Sequence, residues 1–405
     1  MASVAPFRGL LYNSARVPDL GRVVAAPGAP IPPDEPLSVA LLLNPAGGQA
    51  GDAAALMRRW RHEGVLELDA RPCFYIVSQA WRERGMPERT RWGVLARIPL
   101  SPDRAPAGPG PGLSPATALY SDPSGDAERL LESAARRPAD RWMSAPDGTD
   151  TRIWRTADPV FARTFAGAME PLAAWVAEGD ERLAAGRTPD GDRLLAFLTR
   201  LESPALGILP YHRVLRGSRR FNARSLAGRA AAHFDVKHFS LESYDHRGEQ
   251  IRRKLRESAS RGRIASALYA GGDEFFLYLL KEEAEADELL GGIPEPLRRL
   301  DAAVLDKGLL EAELGLPQGE DHGPAAIRHT ADAGRALGWV DAGEAQAAFL
   351  LNPPSREQIA AVAAAGLRLP DRSACFLPQF PAGLVLDPFE PAEERPAGAG
   401  AGEAG

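Results

Sequence analysis

Cysteine is nearly absent: Cys73 and Cys375 are far apart, and neither has a companion at metal-ligand spacing. That leaves no thiol-based metal site, and a reducing, cytoplasmic location is the expectation. Long apolar runs are missing too. No window reaches the roughly 18 consecutive apolar residues of a membrane span, and the opening MASVAPFRGLLYN has no apolar segment behind a basic start. Neither membrane nor export is therefore expected. Positive charge is in deficit, with 48 Lys and Arg against 54 Asp and Glu and a formal net charge of -6. Broad nucleic-acid or anionic-membrane binding is thereby disfavoured, because neutralising phosphates takes a clustered excess of cations. Any anion site must be local. The chain also lacks a GxGxxG fingerprint, a Walker loop and a Ser-His-Asp nucleophile elbow, so dinucleotide, P-loop and common hydrolase chemistries have no support.

What is present is an ordinary globular composition, 44% hydrophobic and 25% charged over 405 residues, enough for two or three cores. The N-terminal part alternates strand-like and helix-like runs: SVALLL (38–43) as a strand, 51–64 as a helix, then CFYIVSQ and WGVLARIPL as strands. RWMSAPDGTDTRIWR reads as a hairpin turning at Asp147 and Gly148, and Asp158-Pro159 as the cap and first turn of a helix. Further on come a helix over 191–202, a strand ALGILP delivering Tyr211, His212 and Arg213, the strand DVKHFSL, a charged helix 247–260 and the hairpin RIASALYAGGDEFFLYLL. The fold class expected is α/β to α+β. Residues 1–216 form the N-terminal region, interrupted by a Pro/Gly-rich linker at 101–116; residues 217–390 form a C-terminal α+β region, and 391–405 a disordered tail.

The apolar run LAAWVA leads into Glu178-Gly179-Asp180-Glu181-Arg182 and then helix-forming residues. A strand-turn-helix of this form offers free backbone N–H groups and a positive helix end to phosphate, with Gly179 permitting close approach and Arg182 adding a charge-assisted contact. The acidic neighbours oppose it. At about 6 Å and an effective dielectric of 20, each carboxylate repels a phosphate by about 3 kcal/mol. Magnesium held by Glu178 and Asp180 would reverse that sign. An acidic first helical turn that favours the macrodipole, with no ligand at all, remains the competing reading.

Two other patterns resolve more simply. AGGDEFF (270–276) contains the five-letter signature of diguanylate cyclases, but no upstream metal-binding aspartate accompanies it, and Gly271-Gly272-Asp273 suffices as a hairpin turn. His233, Asp235, His238, Asp245 and His246 are the densest set of metal-ligand types. Strand alternation places His238 on the face opposite His233 and Asp235, which spoils a compact site.

The stretches PFRGLLYN (6–13), VVAAPGAPI (23–31), ILPYHRVL (208–215), AAFLLNPP (347–354) and LPDRSACFLPQFPAGLVLDP (369–388) resemble, in order and spacing, the bacterial and archaeal family known as domain of unknown function 1015. The resemblance implies a ParB-like or sulfiredoxin-like N-terminal part packed on a C-terminal α+β part, with a distant likeness to serine kinases. The family motif Asp-Gly-His-His-Arg-Tyr stands where this chain has Glu178-Gly179-Asp180-Glu181-Arg182-Leu183. Gly179 and Arg182 carry over, while both histidines and the tyrosine do not. The family's Pro-Tyr-Asp is Pro27-Gly28-Ala29 here, its Pro-His-Glu segment is missing, and Gln379 replaces a usual lysine.

The resemblance thus implies a degenerate nucleotide-dependent phosphotransferase with a binding or regulatory role. Two alternatives stay open. An active serine-like small-molecule kinase would use ATP or ADP with magnesium. Gly179, Arg182 and Arg213 would hold phosphate, Glu178 and Asp180 the metal, and Glu181 and His212 would serve catalysis. A protein-interaction scaffold would bind no nucleotide.

Overall fold

The computed structural model describes residues 3–24, 35–43, 50–82, 86–99, 113–178, 186–188, 191–219, 221–243, 245–281, 289–316 and 326–388. The turn residues Gly179 to Arg182, Pro27-Gly28-Ala29, most of the 101–116 stretch and 391–405 lie outside them. The chain forms two compact units: Met1–Gly207 joined by Pro378–Gly405, and Ile208–Leu377. The last described segment, from Pro378 onward, thus belongs to the first unit.

In the first unit, β1 (Leu10–Tyr12) leads to α1 (Ala40–Leu43), α2 (Ala50–His62) and β2 (Leu66–Leu68), which pairs with β1. Then come β3 (Phe74–Trp81), β4 (Arg89–Pro99), β5 (Ala116–Tyr120), α3 (Asp126–Ala134), β6 (Arg141–Ser144), β7 (Asp150–Thr156), α4 (Pro159–Met169), β8 (Ala174–Glu178), β9 (Gly186–Thr188) and β10 (Gly191–Arg200). The main sheet runs β6-β7-β3-β4-β10-β5-β8, with β9 beside β10. One face packs on Phe7, Leu11, Trp60, Leu384 and Val385 from the N-terminal segment, α2 and the C-terminal segment. The other packs on α3 and α4 through Leu131, Phe165 and Met169.

Two elements differ from their sequence reading. SVALLL coils into α1, with the Ala40 N–H on Ser38 Oγ at 3.2 Å and the Leu42 N–H on the Val39 carbonyl at 2.9 Å. A short, wholly apolar run has no period that separates a buried helix from a strand. Residues 191–202, read as a helix, form β10 instead. This central strand buries Leu195 and Phe197 on one face and Leu194, Ala196 and Leu198 on the other, so it lacks the polar alternation that marks a half-exposed strand. The α4 cap is as read: Asp158 Oδ1 accepts from the Val160 N–H at 3.0 Å. The β6–β7 hairpin turns at Gly148, whose φ is +83°.

The second unit begins within β11 (Gly207–Pro210), which leads to β12 (His212–Arg216), α5 (Ala223–Ala230), β13 (Phe234–Ser240), α6 (Arg247–Ala259), β14 (Ala265–Tyr269) and β15 (Glu274–Leu280). After α7 (Glu295–Arg298) and α8 (Asp301–Val304), a π-helix spans Leu305–Glu311. Then come β16 (Ala326–Thr330), α9 (Ala333–Asp341), β17 (Ala347–Leu351), α10 (Arg356–Ala364) and β18 (Ala374–Leu377). The sheet order is β13-β15-β14-β17-β12-β16, and β11 pairs with β18. The α+β class is thus realised in both units. Gly271 and Gly272, at φ +91° and +78°, turn the β14–β15 hairpin that holds AGGDEFF. No helix among the described residues is long and apolar enough to cross a membrane.

Candidate functional site

Glu178 ends β8 at a register shift. Ala118 of β5 faces Val176, whereas Thr117 faces Glu178, so Ala177 is an extra residue in the ladder. A bulge moves every later side chain to the opposite face. Val176 packs with the α3/α4 side of the sheet. Thr117 registers with Phe197, and Phe197 with Leu95, on the other side. The extra residue therefore turns Glu178 toward the face carrying Arg91, two pleats along β4 from Leu95.

Arg91 is 1% exposed. Its guanidinium lies 4.9 Å from the Phe197 ring centroid and donates to Gln79 Oε1 and to the Pro378 carbonyl. Gln79 in turn donates to the Gln379 carbonyl at 3.2 Å, and Phe380 packs on Phe197 at 5.1 Å between centroids. Gly93 makes this arrangement possible, since a Cβ there would come within 2.5 Å of the Phe197 ring. Burial lowers the Arg91 pKa to about 9, and the Glu178 carboxylate pulls the other way. The guanidinium therefore stays charged at neutral pH, a form that the Glu178 carboxylate favours. Sequence reading missed Arg91. The available signal was an arginine in phase with Gly93 and Leu95 on a strand whose partners are apolar.

Gln379, the position where the resembled family has lysine, belongs to this cluster through its backbone. Of the phosphate, metal and catalytic candidates, Gly179, Asp180, Glu181 and Arg182 lie outside the described residues. Glu178 belongs to the first unit, and His212 and Arg213 to the second.

Strand β12 points His212 and Arg213 to opposite faces of its sheet. Arg213 is wholly buried, and Asp306 takes it in a two-pronged pair, Nε to Oδ1 at 2.9 Å and Nη2 to Oδ2 at 2.6 Å. Nη1 donates to the carbonyls of Tyr211 and Arg372 at 2.6 and 3.0 Å. The π-helix supplies Asp306, while Arg372 adopts a left-handed φ of +56° beside it. Four of the five N–H donors of this guanidinium are thus taken by protein groups. His212 is 3% exposed, and its Nδ1 accepts from the Leu351 N–H at 3.2 Å. Burial, then Arg213 and Arg252, lower its pKa to about 4 against the opposing pull of Asp332. The imidazole is neutral at pH 7 and supplies no positive charge there.

That assignment gives a direct test. The His212 ring resonances should titrate near pH 4, and a midpoint at or above 6.5 would overturn the structural role. The folded pKa lies below the unfolded 6.5. The stabilising contribution is therefore complete above pH 6.5 and lost as pH falls toward 4, about 3 kcal/mol in all.

Among the described residues, no group of three or more His, Cys, Asp and Glu side chains is placed to hold a metal. On β13, Asp235 pairs with Arg263 at 2.9 Å and His238 with Glu274 at 2.8 Å.

The family described as "Protein of unknown function (DUF1015)" matches residues 112–303. The matched span runs from β5 into α8 and takes in ILPYHRVL and residues 178–183. No curated protein matches the chain. Among solved structures, a conserved hypothetical protein from Pyrococcus furiosus is similar at 14% identity and a TM-score of 0.28, over 47% of this chain and 65% of that one. This chain therefore spans just under two thirds of that protein's length. A free serine kinase in complex with AMP is similar at 12% identity and a TM-score of 0.28, over 68% of this chain and 86% of that one. Scores this low transfer neither ligand nor activity to this chain.

Proposed function

We propose that this chain is a catalytically degenerate relative of nucleotide-dependent phosphotransferases, with a binding or regulatory role at the end of β8. One observation carries the reading: the fixed cations that chemistry would draw on are already neutralised. Arg91 has Glu178 as counterion and donates to Gln79 and the Pro378 carbonyl. Arg213 is taken by Asp306 and two carbonyls. Phosphoryl transfer needs positive charge converging on the transferring group. In the sequence, Asp180 and Glu181 set two further carboxylates beside the one cation of Arg182.

The experiment is incubation of the full chain with ATP or ADP, magnesium and L-serine, with product read by mass. No phosphoserine above the protein-free rate is expected. Turnover that disappears in Arg182→Ala would establish the active-kinase alternative and end this reading.

A further inference from the structure

At the opposite edge of the first unit's sheet from β8, a cavity of about 650 Å³ opens between the C-terminal end of α3 and the β6–β7 hairpin. Its size is that of a small-molecule site, commonly about 300–1,000 Å³. Trp154 forms a fixed wall: its Nε1 donates to the Arg137 carbonyl at 2.7 Å, and its ring lies 5.6 Å from that of Trp92. Arg137 is held by Asp140 through bonds of 3.0 and 2.6 Å.

Two lining side chains are different. Trp142, on edge strand β6, is 68% exposed, more than any other large hydrophobic side chain among the described residues. Arg152 is its cross-strand partner in register. Within the described residues neither has a hydrogen bond, ion pair or ring contact. An indole left open to water beside an unengaged guanidinium, over a concave floor, is the pairing that recognises a flat ring bearing negative charge. The indole stacks on the ring, and the guanidinium fork takes a carboxylate or phosphate. Asp150, two residues before Arg152, accepts from Ser144 Oγ and disfavours ligands of higher negative charge at that end.

We infer that this cavity binds a planar aromatic ring carrying an anionic group, stacked on Trp142 with the anion at Arg152. The phosphate of a nucleoside monophosphate and the carboxylate of an aromatic acid share this chemistry, so AMP and 2-naphthoate serve as probes of the full chain by calorimetric titration. Saturable one-to-one binding of at least one probe is expected, and the tighter of the two tells phosphate from carboxylate. Trp142→Ala and Arg152→Ala should each weaken it about tenfold, within the range of a single stacked base or charged bond. Both side chains are exposed, so neither change should move the melting temperature.

Three results would overturn the inference: no saturable binding of either probe at millimolar concentration, binding indifferent to Trp142→Ala, or binding lost in Arg182→Ala and kept in Trp142→Ala. The last would move the ligand to the β8 turn, so the two sites fail separately.

Discussion

Replacing Arg213 with methionine is expected to cost the second unit about 3–5 kcal/mol in urea unfolding, the range for removing one partner of a buried ion pair. The cause is what stays behind. Asp306 keeps a charge that burial already opposes, raising its pKa, with Arg213 as the group pulling it back down. The carbonyls of Tyr211 and Arg372 lose their donor as well. Arg213→Met combined with Asp306→Leu should recover most of the loss, because two apolar groups of similar volume remove the stranded charge. Nucleotide affinity, if measurable, should be the same in the single variant and the parent. A variant that unfolds like the parent but binds nucleotide more weakly would return Arg213 to the list of phosphate ligands.

The largest effect expected is from shortening the chain. Residues 378–388 bury Phe380, Leu384, Val385 and Leu386 in the first unit. Leu386 exchanges backbone bonds of 2.8 and 3.0 Å with Leu10, and the fully buried Asp387 takes Arg97 through bonds of 2.7 and 2.6 Å. At about 1.5–3 kcal/mol per buried side chain, the four apolar groups alone contribute roughly 6–12 kcal/mol. That equals the whole stability of a typical domain. A chain ending at Leu377 should therefore lose the cooperative unfolding of its first unit, while one ending at Pro388 keeps it. An unchanged first-unit transition in the shorter chain would refute this account of the segment.

That dependence was not legible in the sequence. LPQFPAGLVLDP carries a family resemblance but no local sign of where it packs, and it sits next to residues of the second unit. Hairpins and capped helices were legible because their signals are local: Asp147-Gly148 for one turn, Asp158-Pro159 for α4. Strand β10 was not, since burial on both faces erases alternation. The candidate site divides in the same way. The acidic stretch from Glu178 to Glu181 is visible as letters, and the replaced polar motif is visible against the family pattern. Arg91 is not, because what makes it part of the site is a bulge at Ala177 and the bare backbone of Gly93. Arg213 read as an available cation, since sequence showed nothing of the π-helix that brings Asp306 to it.

The interrupted first unit has a consequence for biosynthesis. A ribosome that has finished residue 207 must still make residues 208–388 before the last strip of that core exists, roughly 9–36 s at about 5–20 residues per second. For that interval the nascent polypeptide carries an apolar trough around Leu10 and Phe197 that nothing later than residue 207 has yet filled. Maturation of the amino-terminal half is thereby tied to completion of translation.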